Sequence, residues 1–369
     1  MNSVSDCLIV GASSPEQPAS AGGASTGIRL PGSTERWIVA GVSVSSVVLI
    51  AISLSSGVTL SELEGPGYVF AGLAVLAVLA KLLVQVLKFR VIAGGLAKDS
   101  ITDFRGVATA RVGSEFVALT TPSFIGGEFV RAAWLSRKGV EAGRALWIGF
   151  VEICVDVYVG SAMSLIAAWV AFARGAATVA WLIVIVVVPI MAGYAVFILM
   201  FARRGVRLPS VTRWLLAHLV GKSRGEHLAS RLQEWADDFS SAARATGRQS
   251  AATILLAVCL SLVQALFSGL TLWLLLTPRN SIDIPSSVLA VFGVQALASV
   301  PVTVGGSGIS ELGLQWYLST VYGFSSWATV VLWRLVSYQV VEVLTGGAFV
   351  LLLTKGMKRS RGSGVEPGN

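Results

Sequence analysis

An all-α polytopic membrane protein, with about six spanning helices and two re-entrant helical hairpins, is predicted by three observations. The 369 residues are 54% hydrophobic and only 13% charged, with a mean hydropathy of +0.75, whereas soluble domains carry about 25% charged residues. Six apolar runs each reach the roughly 20 residues that a bilayer crossing takes. Two further apolar stretches are each interrupted in the middle by a proline and a glycine pair. So little charge cannot cover a soluble enzyme of this size, and so much apolar content is incompatible with a wholly disordered chain.

Residues 1–35, rich in Ser, Gly, Ala and Pro, are expected to form a disordered tail. They lack the basic segment followed by an apolar core that marks a signal peptide. A transmembrane domain is expected over 36–355, with spans at 37–57, 67–88, 145–172, 178–202, 251–277 and 325–354, and a basic tail over 356–369. The first span is the most polar, diluted by Ser43, Ser45, Ser46, Ser53, Ser55 and Ser56. Trp37, Tyr68, Trp147 and Trp327 stand near span ends, where interfacial aromatics sit.

The stretches 104–131 and 286–322 carry Pro122 with Gly126-Gly127 and Pro301 with Gly305-Gly306. A membrane tolerates such a break only where protein or a watery cavity satisfies the freed backbone groups. Each stretch therefore reads as a re-entrant hairpin. The 203–250 segment reads as a cytoplasmic amphipathic loop, with Leu228, Leu232, Trp235 and Phe239 at helical spacing beside Arg231, Glu234, Asp237 and Asp238. Its helix either lies on the membrane surface or packs on the bundle, and 214–220 is a second short helix.

Nearly all of the 28 Lys and Arg residues fall on one face of this layout. Arg174 and Arg279 lie on the other face, and Lys81 and Arg334 lie within spans. The positive-inside rule places that basic face, and both termini, in the cytoplasm of a prokaryote's cytoplasmic membrane. The net charge of +8 then orients the chain and calls for no nucleic acid. Counting one hairpin alone as a full crossing would send either the basic 203–250 loop or Lys355, Lys358, Arg359 and Arg361 outside. With neither crossing, the chain divides into two four-element units of opposite orientation. Inverted repeats that meet at broken helices place a binding site near the midplane.

Chemistry is concentrated at the two breaks and at a few intramembrane charges. In the first break, Gly126 and Gly127 permit a sharp turn, and a new half-helix offers free N–H groups to an anion. Glu128 and Arg131, three apart, share a helix face. They form a structural ion pair, or Arg131 binds a phosphate. In the second, Gly305, Gly306 and Gly308 suit a phosphate-cradling nest, with Glu311 just inside the next helix. A nucleotide loop is excluded there, because no Gly-Lys-Ser/Thr follows. Glu152 and Asp156 lie four apart on one span, Arg334 and Glu342 on the last, and Lys81 on the second. Ionisable residues at membrane depth normally face the interior, paired or wet. They read either as a headgroup or proton path or as ion pairs that lock the bundle. His218 and His227, in the cytoplasmic loop, and Cys7, Cys154 and Cys259 make no metal or nucleophile signature. No catalytic residue, metal or cofactor is expected.

The order of these motifs resembles the lysylphosphatidylglycerol synthase transmembrane-region family, also called flippase-like membrane proteins, over roughly 37–354. The resemblance rests on Thr121-Pro122-Ser123 leading to Gly126-Gly127-Glu128-Phe129-Val130-Arg131, then Glu152 and Asp156. It continues with Pro301-Val302-Thr303-Val304-Gly305-Gly306-Ser307-Gly308-Ile309-Ser310-Glu311 and Arg334 followed by Gly346-Gly347. Two departures stand out: Ile153 replaces the arginine of the family's Glu-Arg-x-x-Asp, and Val304 replaces the proline before the second glycine pair. The resemblance implies movement of a phospholipid or lipid-linked headgroup between leaflets, without the soluble aminoacyl-transferase domain to which such modules are sometimes fused.

The expected function is therefore a lipid flippase. Pro122, Gly126, Gly127, Glu128, Arg131, Glu152, Asp156, Gly305, Gly306, Gly308, Glu311 and Arg334 would bind the headgroup. Two alternatives belong to other classes: a membrane-embedded transferase acting on lipid-linked aminoacyl or sugar groups, with Glu152 and Asp156 as acid and base, or a non-catalytic partner of a separate transferase. The expected partners are membrane lipids or lipid-linked intermediates and, in the last reading, that transferase.

Overall fold

In the computed structural model the described residues are 32–59, 67–97, 103–121, 126–204, 221–246, 250–276, 282–299, 303 and 305–361, with five isolated positions between 209 and 218. All regular structure among them is helical. The helices are α1 (Gly32–Ser55), α2 (Gly67–Ala97), α3 (Phe104–Leu119), α4 (Gly126–Arg137), α5 (Ala142–Ala173) and α6 (Ala177–Arg204). They continue with α7 (Lys222–Ala245), α8 (Ala251–Leu276), α9 (Ile284–Ala298), α10 (Ile309–Tyr322), α11 (Trp327–Arg334), a π-turn over Leu335–Gln339, and α12 (Val340–Arg361).

Among the described residues, five helices are long and apolar enough to cross a bilayer: Gly67–Ala97, Ala142–Ala173, Ala177–Arg203, Ala251–Leu276 and Trp327–Val350. The first expected span corresponds to α1, of which Val42–Ser55 is a shorter apolar helix. The expected tail over 1–35 lies almost wholly outside the described residues, although helix already begins at Gly32. The last helix runs on to Arg361, into the expected basic tail.

Burial is inverted relative to a water-soluble protein. Leu73, Leu76, Leu79, Leu83 and Leu87 of α2 are exposed, as are Trp181, Ile185, Val188 and Val196 of α6. Lys88, Arg111, Arg131, Glu152, Glu311, Arg334 and Glu342 are buried. An apolar belt of this extent is untenable in water and suits lipid. The chain is an integral membrane protein.

The two interrupted stretches form helix pairs. α3 packs on α4, and α9 on α10. Their lengths of 16, 12, 15 and 14 residues correspond to about 18–24 Å, short of the roughly 30 Å hydrocarbon core. The pairs sit at opposite ends of a frame made by α2, α5 and α8. One apolar core joins α3 and α4 (Val107, Ala132, Leu135) to the end of α2 and the start of α5 (Phe89, Ile92, Ala145, Ile148). The other joins α9 and α10 (Ala290, Val294, Leu314, Leu318) to the start of α2 and the ends of α5 and α8 (Ala74, Ala77, Ala167, Leu275). Side-chain caps define two helix starts: Asp283 accepts from the Ser286 amide at 2.9 Å, and Ser326 from that of Thr329 at 3.3 Å.

The amphipathic segment packs on the bundle rather than standing apart from it. Phe239 of α7 is buried, with ring centroids of Trp147 and Phe201 at 5.1 and 4.7 Å. Trp147 Nε1 donates to Thr246 Oγ1 at 2.6 Å. Gly143 lets α7 approach α5 so closely that a Cβ there would lie 2.7 Å from the Phe239 nitrogen. Most of the expected helix at 214–220 lies outside the described residues.

Candidate functional site

Among the described residues three ion-pair networks line the interior, and the first is centred on Glu152. The i,i+4 pair on α3 has Arg111 Nη1 2.6 Å from Glu115 Oε2. The i,i+3 pair on α4 has Arg131 Nη2 3.2 Å from Glu128 Oε1. Where both half-helices meet α5, Glu152 bridges them, with Oε1 2.9 Å from Arg111 Nε and Oε2 3.2 Å from Arg131 Nε. Arg131 Nη1 also donates to Ser114 Oγ at 3.2 Å. Glu152 is 1% exposed, so the bridge is dry, and Coulomb attraction is weakly screened there.

The second network lies one turn further along α5. Lys88 of α2 is fully buried and pairs with Asp156. Its Nζ also donates to Gln264 Oε1 at 2.8 Å and Ser261 Oγ at 3.3 Å, and Ser261 in turn donates to Asp156 at 2.8 Å. Glu152 and Asp156 share a helix face but serve separate networks. Both are already engaged by cations, which does not leave them as a free acid and base. Lys81 on α2 adds a positive charge that interacts with Glu115 and Asp156.

The third network holds the second break. Arg334 Nε lies 3.0 Å from Glu311 Oε1. Arg334 Nη2 donates to the Gly305 carbonyl at 2.8 Å and to Ser307 Oγ at 2.9 Å. Glu311 Oε2 accepts from the Gly308 amide and from Ser310 Oγ, both at 2.8 Å. The carboxylate thus caps the start of α10, where the helix dipole favours negative charge. Gly305 and Gly306 have φ of 56° and 67°, in the left-handed region that side chains disfavour.

Tyr338, in the π-turn, joins the two breaks. Its hydroxyl donates to the Leu119 carbonyl at the end of α3 at 2.6 Å. The Arg334 guanidinium lies 3.7 Å from its ring centre, and a Cβ on Gly305 would lie 2.5 Å from its Cε2. One aromatic side chain therefore touches the last turn of α3 in the first stretch and the glycine turn of the second. Nothing in the sequence singles out this tyrosine among the aromatics of an apolar helix.

The structure brings together Gly126, Gly127, Glu128, Arg131 and Glu152 around the first break, and Gly305, Gly306, Gly308, Glu311 and Arg334 around the second. Asp156 stands with Lys88, and Pro122 lies outside the described residues. Two glycine amides expected to face a ligand are engaged within the protein: Gly126 donates to Thr121 Oγ1 at 3.1 Å, and Gly308 to Glu311. Gly127 serves close packing, since a Cβ there would lie 2.7 Å from the Ser114 carbonyl oxygen. Lys88 and Arg111, read from the sequence as basic residues flanking membrane segments, are instead 0% and 4% exposed. α2 runs on to Ala97 and carries Lys88 inside, and Arg111 turns onto the α5 carboxylate. The signals available were the Lys81-Gln85-Lys88 face and the Arg111–Glu115 spacing.

The interior is not a trap for anions. The five basic residues Lys81, Lys88, Arg111, Arg131 and Arg334 stand against the five acids Glu115, Glu128, Glu152, Asp156 and Glu311. Among buried atoms without a hydrogen-bond partner are Gln85 Oε1, Glu128 Oε2 and Glu342 Oε1. Such unpaired acceptors cost about 1–3 kcal/mol each and suit a ligand that brings donors.

A family model described as "Lysylphosphatidylglycerol synthase TM region" matches residues 37–346. No curated protein matches the chain significantly.

Proposed function

The chain belongs to the lysylphosphatidylglycerol synthase transmembrane-region family, and from that premise we propose that it is a lipid translocase. In this reading it moves the headgroup of a phospholipid or lipid-linked intermediate between leaflets. The observation that carries the reading is the junction at Tyr338, where two helix breaks from opposite ends of one frame meet beside buried ion pairs. The α3–α4 and α9–α10 pairs then act as re-entrant hairpins, one from each side, in an inverted repeat with both termini cytoplasmic. Alternating access follows when one repeat rocks against the other around the fixed junction.

The chemistry offered is ion-pair exchange. The Glu128–Arg131 pair is a partly accessible contact of the first network, with the Glu128 side chain 19% exposed, and its Glu128 Oε2 has no hydrogen-bond partner among the described residues. A headgroup carrying both phosphate and ammonium can part this pair and replace both partners. Its phosphate takes Arg131 in a charge-assisted contact, and its ammonium takes Glu128, including the unpartnered Oε2. No net charge is then added to the interior, which keeps the desolvation penalty of a lone buried ion out of the path. Arg334 and Glu311, buried at the second break, offer the same exchange once that break opens. A transferase encoded separately is the natural source of a modified lipid for such a path.

The test is reconstitution into vesicles of phosphatidylcholine and phosphatidylglycerol containing a trace of acyl-labelled fluorescent phospholipid, with dithionite quenching as the readout of leaflet exchange. Arg131→Ala combined with Arg334→Ala, in protein that still elutes as a monodisperse peak, is expected to abolish the protein-dependent rate. Unchanged exchange in that variant defeats the site assignment.

A further inference from the structure

Glu342 is a buried carboxyl group that the ion-pair networks leave out. It follows the π-turn directly, inside the Trp327–Val350 span, and is 4% exposed. Its Oε2 accepts from Ser45 Oγ of α1 at 3.5 Å, a long contact, and its Oε1 is buried with no partner among the described residues. One turn back on the same helix, both amide atoms of Gln339 are also buried without partners among those residues. The groups that surround Glu342 are otherwise committed. Arg334, on its own helix, is held by Glu311, the Gly305 carbonyl and Ser307. The Tyr338 hydroxyl is given to Leu119. On α3, which packs against α12, Arg111 and Glu115 bind each other, and Arg111 also binds Glu152. On α2, which packs against the π-turn, Lys88 pairs with Asp156, and Lys81 interacts with Glu115 and Asp156.

A carboxylate in a low-dielectric interior is stable only with a cation or with several donors. Among the described residues no cation makes an ion-pair contact with Glu342, the nearby Arg334 being held by Glu311, and one donor, Ser45, reaches it at 3.5 Å; the neutral acid meets the need directly. Its O–H becomes a donor, for which the unpartnered amide oxygen one turn away, Gln339 Oε1, is available. A metal cation is a poorer fit, because hard cations gather about six oxygens. The unpartnered oxygens among the described residues here are Glu342 Oε1 and Gln339 Oε1.

We propose that Glu342 is a proton-binding site whose proton is taken up and released as the two breaks rearrange, so that headgroup movement is proton-linked. The π-turn gives the link a physical route, since such irregular turns often mark functional positions in helices. It lies between Arg334, which holds the second break, and Glu342, and it contains Tyr338, which touches both breaks. Binding or loss of the proton changes the charge at one end of that turn. The linkage to headgroup movement rests on the translocase reading; the proton site itself does not.

Two measurements separate those claims. Infrared difference spectroscopy of the purified protein in nanodiscs reads the protonated carboxylic C=O band directly. The band is expected at neutral pH in the wild type, absent in Glu342→Gln and retained in Glu128→Gln; a spectrum that Glu342→Gln leaves unchanged overturns the proton site. Gln is isosteric with the neutral acid, and a pH titration of the wild-type band gives the same answer without any variant. In the vesicle assay, an imposed pH gradient is expected to change the wild-type exchange rate severalfold, and Glu342→Gln to flatten that response. A wild type that exchanges lipid at a rate indifferent to the gradient overturns the linkage. A wild type that exchanges no lipid defeats the translocase reading instead, and the infrared band decides the proton site alone.

Discussion

Replacing Glu152 by Gln tests whether one carboxylate holds the first break together. The substitution keeps shape and removes the charge that Arg111 and Arg131 share at 2.9 and 3.2 Å. Removing one partner of a buried pair costs about 3–5 kcal/mol. Here the lower end applies, because Arg111 retains Glu115 at 2.6 Å and Arg131 retains Glu128 at 3.2 Å. Glu128→Gln is the internal comparison. Its side chain is 19% exposed and makes one ion-pair contact, so its loss is expected to cost about 1 kcal/mol. The difference of about 2 kcal/mol corresponds to roughly 30-fold in the unfolding equilibrium. Unfolding in mixed micelles, followed by tryptophan fluorescence, measures both. A Glu152→Gln protein as stable as wild type, or more stable than Glu128→Gln, refutes the bridging role.

Other perturbations have equally definite outcomes. Tyr338→Phe keeps the ring beneath Arg334 but leaves the buried Leu119 carbonyl unpaired, at a cost of about 1–3 kcal/mol in the same unfolding assay. Gly269→Ala places a Cβ 2.6 Å from the Val288 Cα at the α8–α9 crossing and is expected to destabilise by about 1–3 kcal/mol. Gly193→Ala, with nothing within 4 Å, should be neutral or slightly stabilising by the gain in helix propensity. Asp283→Ala removes the cap of α9 and should cost about 0.5–1 kcal/mol, low in the range because the side chain is exposed. Hydrogen bonding from Ser286 holds the Asp283 carboxyl below its ordinary value. The cap's contribution is therefore complete above the unfolded carboxyl's pKa and is lost as pH falls through the folded one. Wild type and Asp283→Ala should converge in stability at low pH, and a constant difference across acid pH contradicts the cap.

The helices and the positions of both breaks are legible in the sequence because they depend on local terms: apolar run length, proline, and paired glycines. Glu128 with Arg131, and Glu152 with Asp156, follow from helical spacing in the same way. What the sequence withholds is partner choice across the fold. Arg111 reads as a basic flank until α5 delivers Glu152 to it. Lys88 reads as the end of a span until α2 is seen to continue for another two turns and α8 to supply Ser261 and Gln264. Tyr338 carries no local signal, since its role comes from two segments far apart in the chain that meet only on folding.

If this membrane domain moves lipid headgroups as proposed, the purified wild-type protein exchanges them between leaflets without any partner. The measurement is dithionite quenching of acyl-labelled phosphatidylglycerol, phosphatidylethanolamine and an aminoacylated phosphatidylglycerol in matched vesicles with and without protein. The expected result is a protein-dependent rate that is greatest for a headgroup carrying both phosphate and ammonium. Rates equal to those of protein-free vesicles for every headgroup would contradict it.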